Sequence, residues 1–189
     1  MILTDGAIRQ ALQDGRLILD PIPPPHHFNT TAVDLRLGPI LKVWEKIPKG
    51  ANLVLDYDDV KIPDLHQFSQ DATLGQDGSF QLEPNQFVLA QTLEKVGLPI
   101  AGKLAARVEG RSSLARLGVV VHLTAPTIHA DFGGVKGAPI TLEIINLGPF
   151  HIRIKPGSSR ICQLIIEQVE GESGSALPSQ FQNQKTPLG

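Results

Sequence analysis

The segment 109–118 concentrates groups that bind phosphate. It reads Glu-Gly-Arg-Ser-Ser-Leu-Ala-Arg-Leu-Gly and so holds two arginines, two serines and two glycines. Guanidinium groups bind phosphate oxygens in pairs, and free backbone N–H groups at a helix start add donors. We predict a short helix here, capped by Ser112 or Ser113 and ended by Gly118 in the left-handed conformation. Taken by itself, the segment also fits an ordinary capped surface turn.

Glu143 is the candidate for proton transfer. In the segment 140–146 two sets of residues alternate, Ile140, Leu142 and Ile144 against Thr141, Glu143 and Ile145. A carboxyl group between β-branched neighbours is partly shielded from water, which raises its pKa and suits a general base. A solvent-facing glutamate on a two-faced strand fits the same spacing.

Metal chemistry finds little support in the residue pattern. Zinc nucleobase deaminases carry a His-x-Glu segment and a Pro-Cys-x-x-Cys segment. Here residues 129–131 read His-Ala-Asp, and the chain has one cysteine, Cys162. None of the six histidines forms an i, i+4 pair beside a glutamate. We therefore expect no zinc site, and we interpret His122, which lies in an apolar run, as a half-buried histidine with satisfied hydrogen bonds.

Short strands must position these residues. Thr4 or Asp5 is placed to cap a first helix that ends at 14–15, and the proline-rich segment 21–25 is predicted to run extended on the surface. Apolar and polar residues alternate in 33–37 and again in 150–155. Strands of this length, broken by glycine and proline, favour a mostly β jelly roll or sandwich with a few short helices.

Length, charge and composition limit the functional classes. A chain of 189 residues fits one domain, or one domain with a tail, and the net charge of −2 gives no general basic field for nucleic acid. We see no signal peptide and no apolar run of membrane-spanning length. With a single cysteine, these features predict a cytoplasmic protein. Residues 171–189 are rich in Gly, Ser, Gln and Pro and are predicted to form a flexible tail.

Six segments together resemble the dCTP deaminase family, within the dUTPase-like superfamily. They are 31–38, 87–94, 109–118, 122–125, 140–143 and 156–163, in the family's order. The most specific is Gly-Arg-Ser-Ser-Leu-Ala-Arg-Leu-Gly, followed by Val-His-Leu-Thr-Ala. The resemblance runs from the first helix to about Val169. It implies a distorted jelly-roll (β-clip) domain over 1–170, a homotrimer with active sites between neighbours, and a C-terminal tail over 171–189 that closes as a lid.

The resemblance also implies a reaction, the hydrolytic deamination of dCTP to dUTP and ammonia in pyrimidine deoxynucleotide synthesis. Glu143 would be the general base, Ser112 and the carbonyl of Ala125 would position the water, and Arg116 would pair with Glu143 or the reacting centre. Nucleotide binding would involve Arg111, Ser112, Ser113, Arg116, Thr124, His129, Asp131, Gln163 and Gln184. Mg²⁺ would accompany the triphosphate, with neither zinc nor a metal ligand from the protein.

Three departures from the family pattern concern the sugar-facing loop and the tail. His129 stands where the family has an aspartate, Asp131 is displaced, and extra residues lie around 135–139. The tail also lacks the tyrosine and lysine often found before the glutamine. The changed loop also fits a non-catalytic nucleotide-binding trimer. A bifunctional deaminase–diphosphatase that yields dUMP and pyrophosphate stays open because it shares the Arg-Ser-Ser and Leu-Glu elements, and binding of dUTP or dTTP stays open as well. A plain dUTPase is disfavoured because its glycine-rich tail is missing.

Overall fold

The computed structural model describes residues 1–172 and 186–188, and these residues form mainly short strands. The helices are α1 (Asp5–Gln13) and α2 (Ser112–Ala115), with 3₁₀ turns at Pro25–His27, Ile62–Phe68 and Ile100–Gly102. The strands are β1 (Ile18–Asp20), β2 (Phe28–Asn29), β3 (Ala32–Trp44), β4 (Ser69–Asp71), β5 (Phe80–Leu82), β6 (Phe87–Gly97), β7 (Leu104–Gly110), β8 (Val119–Val121), β9 (Thr127–Ile128), β10 (Ala138–Asn146), β11 (Ile152–Ile154) and β12 (Arg160–Gln168). The predicted fold class, mostly β with a few short helices, is confirmed.

One curled antiparallel sheet organises the molecule around β3. Its strands follow the order β8-β10-β6-β3-β12-β7-β9, with β1, β2 and β4 attached at its sides, and β5 pairs separately with β11. The first half of β3 pairs with β12, where Leu35 lies opposite Cys162, and its second half pairs with β6, where Leu41 lies opposite Ala90. The strand therefore joins two wings of the sheet, β8-β10-β6 and β12-β7-β9, and α2 connects them again between β7 and β8.

A single apolar core lies between the wings. The alternation predicted for β10 is confirmed: Ile140, Leu142 and Ile144 are buried, whereas Thr141 and Glu143 are only partly covered. Full burial of an aliphatic side chain stabilises the fold by roughly 1.5–3 kcal/mol. The face of β10 that carries these aliphatic side chains is thus packed in the core, and the side chains of Thr141 and Glu143 lie on the opposite face, where they are partly accessible.

Two details of the predicted elements differ from the structure. The strand expected over 150–155 is limited to β11, and Phe150 is exposed. The proline-rich segment is extended only to Pro24, because Pro25 opens a 3₁₀ turn whose first position suits a residue without an N–H group. The cap of α1 is confirmed: the Thr4 hydroxyl accepts from the Ala7 N–H at 3.4 Å.

Candidate active site

Glu143 lies beside His122 at the joint of β8 and β10. Glu143 stands opposite Leu89 of β6, and its side chain is 33% exposed. Because β8 pairs with β10, the residue after β8 is carried alongside: the His122 N–H donates to the Glu143 carbonyl at 2.9 Å. His122 has φ of +62°, a left-handed conformation that turns the chain at this point. Its Nδ1 lies 3.0 Å from Glu143 Oε2.

The second ring nitrogen of His122 also faces an acceptor. Nε2 lies 2.5 Å from the carbonyl oxygen of Ala125. Burial lowers the pKa of His122, but the Glu143 carboxylate, the Ala125 carbonyl and the charge of Glu109 together outweigh burial and raise that pKa above its usual range. Since a carboxylate and a carbonyl both accept, an imidazole protonated on both nitrogens faces an acceptor at each of them.

The prediction of a half-buried histidine agrees with the structure, but its hydrogen bonds are satisfied only at Nε2, because Nδ1 meets Glu143 as an ion pair without the geometry of a hydrogen bond. The partner Glu143 was not foreseen. Within the described residues Glu143 Oε1 has no protein partner, so one carboxylate oxygen is held and the other remains available. A carboxylate in this condition is able to accept a proton from a water molecule placed against Oε1.

The arginine–serine segment is built differently from our prediction. Helix α2 begins at Ser112 itself, and Arg111 occupies the N-cap position without a capping hydrogen bond from its side chain. The predicted serine cap is wrong because the helix starts one residue too early for either hydroxyl to reach an N–H group from the capping position. Gly118 has φ of +88°, as predicted, and a Cβ there would collide with the Gly148 backbone.

The exposed side of this segment carries Ser112, Ser113 and Arg116. All three are exposed, and in the described part of the chain their side chains make no hydrogen bond or ion pair. Arg116 is therefore not paired with Glu143 inside one chain. The hydroxyls and the guanidinium group are free to meet an anionic ligand.

Arg111, in contrast, is held by the buried carboxylate of Asp34, which is 1% exposed. Asp34 Oδ2 pairs with Nη1 of Arg111 and, at 3.0 Å, with Nη1 of Arg160. Its Oδ1 accepts from the side-chain amides of Gln163 at 3.0 Å and Asn29 at 3.1 Å. We call Asp34, Arg111, Arg160, Gln163 and Asn29 the Asp34 cluster.

The cluster joins four elements of the fold. Asp34 lies on β3, Asn29 on β2, Arg160 and Gln163 on β12, and Arg111 directly follows β7. Gln163, which the resemblance assigns to the nucleotide, thus directs its amide nitrogen at Asp34. The structure brings Arg111 and Gln163 together at Asp34, whereas Glu143 meets His122 where β8 pairs with β10.

The remaining predicted nucleotide contacts lie on the loops after β8 and β9. Thr124, His129 and Asp131 are exposed, and Asp131 has φ of +73° while its N–H donates to the Leu98 carbonyl at 2.7 Å. The altered loop is therefore tied to the end of β6. Gly133, with φ of +65°, makes that approach possible, because a Cβ there would collide with the Val96 carbonyl.

Part of the prediction concerns residues that the structure does not describe. Gln184 and the predicted lid segment 181–184 lie outside the described residues. Near the chain end, Leu188 is buried. Within residues 1–172 and 186–188, no three His, Cys, Asp or Glu side chains are grouped to hold a metal ion. No helix among the described residues is long and apolar enough to cross a membrane.

Two residues of this region were missed as functional candidates, Asp34 and Arg160. Alternation places Asp34 on a polar face of β3, and nothing in the local pattern indicates that this face is covered. The signal that could have found it is a carboxylate within a strand of buried aliphatic residues, which requires a charged partner.

The comparisons with known proteins agree on one family. Residues 2–169 match the family described as dCTP deaminase-like. The "dCTP deaminase, dUMP-forming" of Methanobrevibacter smithii is 38% identical over 166 residues, which cover 88% of this chain and 79% of that protein. The "dCTP deaminase" of Rhodospirillum rubrum is 34% identical over 194 residues, which cover 100% of this chain and 95% of that protein.

A solved structure shares the fold. The crystal structure of 2′-deoxycytidine 5′-triphosphate deaminase from Agrobacterium tumefaciens matches with a TM-score of 0.61 and 24% identity, over 87% of this chain. The match spans 47% of that structure's chain, so the present chain corresponds to about half of it. At this identity the match supports the β architecture and nothing finer.

Proposed function

Because the chain belongs to the dCTP deaminase-like family, as the resemblance implied, we propose that it deaminates dCTP hydrolytically to dUTP and ammonia. The observation that carries the proposal is the Glu143–His122–Ala125 arrangement. It offers a carboxylate with one oxygen fixed at 3.0 Å from an imidazole and the other accessible. That is the requirement for a base that works on water.

The reaction assigns each proton to a named group. Water forms a bond from its oxygen to C4 of the cytosine ring and gives one proton to Oε1 of Glu143. Glu143 passes this proton to N3 of the ring, then takes the remaining proton of the new C4 hydroxyl and delivers it to the exocyclic nitrogen. The bond between C4 and that nitrogen breaks, ammonia leaves, and the C4 carbonyl of uracil forms. The sum is dCTP plus water to dUTP plus ammonia, with no redox step.

His122 acts on this chemistry through the base. Its Nδ1 forms an ion pair with Oε2 and its Nε2–H donates to the Ala125 carbonyl, so the ring fixes the carboxylate relative to the loop 122–125. The resemblance assigns the Ala125 carbonyl to the reacting water. A carbonyl oxygen has two lone pairs, so bonding to His122 leaves one for that contact.

The triphosphate is proposed to bind at Arg111, Ser112, Ser113 and Arg116. Three of these side chains are exposed and unpaired in the described part of the chain, which suits a ligand that brings several anionic oxygens. Mg²⁺ enters with dCTP as part of the substrate and neutralises phosphate charge. No protein ligand for the metal is part of the proposal.

A homotrimer completes the site in this proposal. Arg116 is exposed and makes no ion pair with Glu143 in the described part of the chain. Neighbouring copies are proposed to bring the base of one subunit to Ser112 and Arg116 of the next. Sedimentation of the purified protein at equilibrium tests this arrangement, since a strictly monomeric active enzyme contradicts it.

A second outcome of the same chemistry is release of dUMP and pyrophosphate. It is favoured by the Methanobrevibacter smithii relative, whose name states that it is dUMP-forming. One assay separates the outcomes: purified protein is supplied with dCTP and magnesium, and ammonia and pyrophosphate are measured independently. Ammonia alone supports the deaminase, both products support the bifunctional enzyme, and neither product refutes the proposed function.

A further inference from the structure

The Asp34 cluster contains one buried anion and two arginines. Asp34 Oδ1 accepts from two amides, and Oδ2 accepts from Nη1 of Arg160 and forms an ion pair with Nη1 of Arg111. Three hydrogen bonds therefore hold the carboxylate, and the guanidinium group of Arg111 adds a second positive charge beside Oδ2. Asp34 is thus enclosed by donors and positive charge, which suits orienting its neighbours.

Both arginines keep N–H donors that do not contact Asp34. Each presents one amino group to Asp34, whereas a guanidinium group carries five N–H donors in a planar fork. The Arg160 side chain is 41% exposed and that of Arg111 is 20% exposed. With one carboxylate between two guanidinium groups, the cluster keeps one positive charge in excess at its exposed side.

The register of the sheet aligns this charge with the arginine–serine segment. In the β12–β7 pair, Cys162 lies opposite Gly110 and Gln163 opposite Glu109. Arg111 follows β7 directly and precedes Ser112, and Arg160 opens β12, the strand that pairs with β7. Because Arg111 and Arg160 meet the same oxygen, Asp34 Oδ2, Arg160 lies beside the start of the segment proposed to bind the triphosphate.

We propose that Arg160 is a further triphosphate-binding residue and that Asp34 is a positioning residue, which aims Arg111 and Arg160 together at the same polyphosphate. The proposal rests on the proposed function for the identity of the substrate. The two guanidinium groups then act as a clamp, because one carboxylate that contacts both of them fixes the distance between them. Binding by two oriented arginines is more specific than binding by flexible cations, because less freedom is lost on contact.

Arg107 provides a matched control. It lies on β7 of the same sheet, its side chain is 40% exposed, and its Nε pairs with Glu167 at 2.7 Å. It equals Arg160 in residue type and exposure and also pairs with carboxylates, Glu167 and, at 3.9 Å, Glu109, but it belongs to no part of the proposed site. Any general effect of removing a charge from this sheet appears equally in Arg107→Gln.

The experiment compares Arg160→Gln, Arg160→Lys, Asp34→Asn and Arg107→Gln in the full-length protein. The dissociation constant of inorganic tripolyphosphate is measured by calorimetry without magnesium, and KM and kcat are measured from ammonia release with dCTP and magnesium. We expect Arg160→Gln to raise both the dissociation constant and KM about tenfold, with kcat within about twofold of the original enzyme. Arg160→Lys should lie between, and Arg107→Gln should match the unmodified protein.

The outcomes separate the proposal from the proposed function. Unchanged tripolyphosphate binding by Arg160→Gln overturns the proposal, whatever the enzyme does with dCTP. If Arg160→Gln binds tripolyphosphate more weakly but the unmodified protein releases no ammonia from dCTP, the role of Arg160 is supported and the proposed deaminase function is refuted. For Asp34→Asn, tripolyphosphate binding is measured at a temperature well below the melting temperature of the variant. Weaker binding there supports a positioning role for Asp34, whereas a lower melting temperature with unchanged binding assigns Asp34 a structural role only. If Asp34→Asn does not fold, Arg160→Gln still decides.

Discussion

Two carboxylates of this chain, Glu143 and Asp34, are placed in opposite conditions. Glu143 is 33% exposed, has one oxygen on His122 and keeps the other free of protein partners in the described residues. Asp34 is 1% exposed, accepts three hydrogen bonds and pairs with two guanidinium groups. The difference shows how a fold gives one functional group two tasks: a carboxylate with an accessible oxygen is able to take a proton, whereas an enclosed carboxylate orients the groups around it.

The largest expected effect is on the rate when Glu143 is replaced by Gln. The amide keeps the shape of the carboxylate but cannot accept a proton, so we expect ammonia release to fall by about 10³-fold or more. Binding of dCTP should remain within a few-fold of the original value. The check is a steady-state ammonia assay beside calorimetric titration with dCTP. Near-normal turnover by Glu143→Gln would remove Glu143 from the mechanism.

Stability should respond most strongly at the other carboxylate. Replacement of Asp34 by Ala leaves two guanidinium groups without their counter-charge, and we expect a loss of about 3–5 kcal/mol in the free energy of unfolding. Glu143→Gln, at a half-exposed site, should cost less than about 1 kcal/mol. Urea unfolding of both variants tests the contrast, which fails if the two losses are similar.

Replacement of His122 by Asn should have an intermediate effect on the rate. Asparagine tolerates the left-handed conformation that His122 adopts, so the turn is kept while the bonds to Glu143 and Ala125 are lost. We expect kcat to fall about 10- to 100-fold, because the base is no longer fixed, with a smaller change in KM. A variant that loses affinity but keeps its kcat would assign His122 to binding.

The smallest expected effect is on the pH dependence of stability. The pKa of His122 is raised in the folded protein, so its contribution is complete below its ordinary pKa of about 6.5 and declines as pH rises through the folded value. The melting temperature of the original protein relative to His122→Asn should therefore be highest near pH 6 and decrease toward alkaline pH. A difference that grows with pH would contradict the raised pKa.

Local residue patterns predicted some features around the two carboxylates and missed others. Alternation predicted the buried face of β10 and hence that Glu143 lies on the opposite face, and the conformation of Gly118 followed from its place at the end of the predicted short helix. Alternation failed at Asp34, because β3 is central and arginines from two distant segments cover its second face. Contacts of that kind depend on the assembled sheet.

The partner of Glu143 was unpredictable for the same reason. His122 meets Glu143 only through the pairing of β8 with β10, which no spacing in the chain specifies. The serine cap of α2 was wrong by one residue, an error typical of helix boundaries in short elements. The resemblance to a family suggested roles for residues whose function local patterns do not indicate. The structure then showed which residues lie next to them.

The most direct test of the account is one crossed measurement, in which KM and kcat for dCTP deamination are determined side by side for Glu143→Gln and Arg160→Gln. The account predicts that Glu143→Gln loses kcat by about 10³-fold with binding retained, and that Arg160→Gln raises KM about tenfold with kcat retained. If both variants lose the same parameter, or if Glu143→Gln turns over normally, the division between a reactive carboxylate and a positioning one is contradicted.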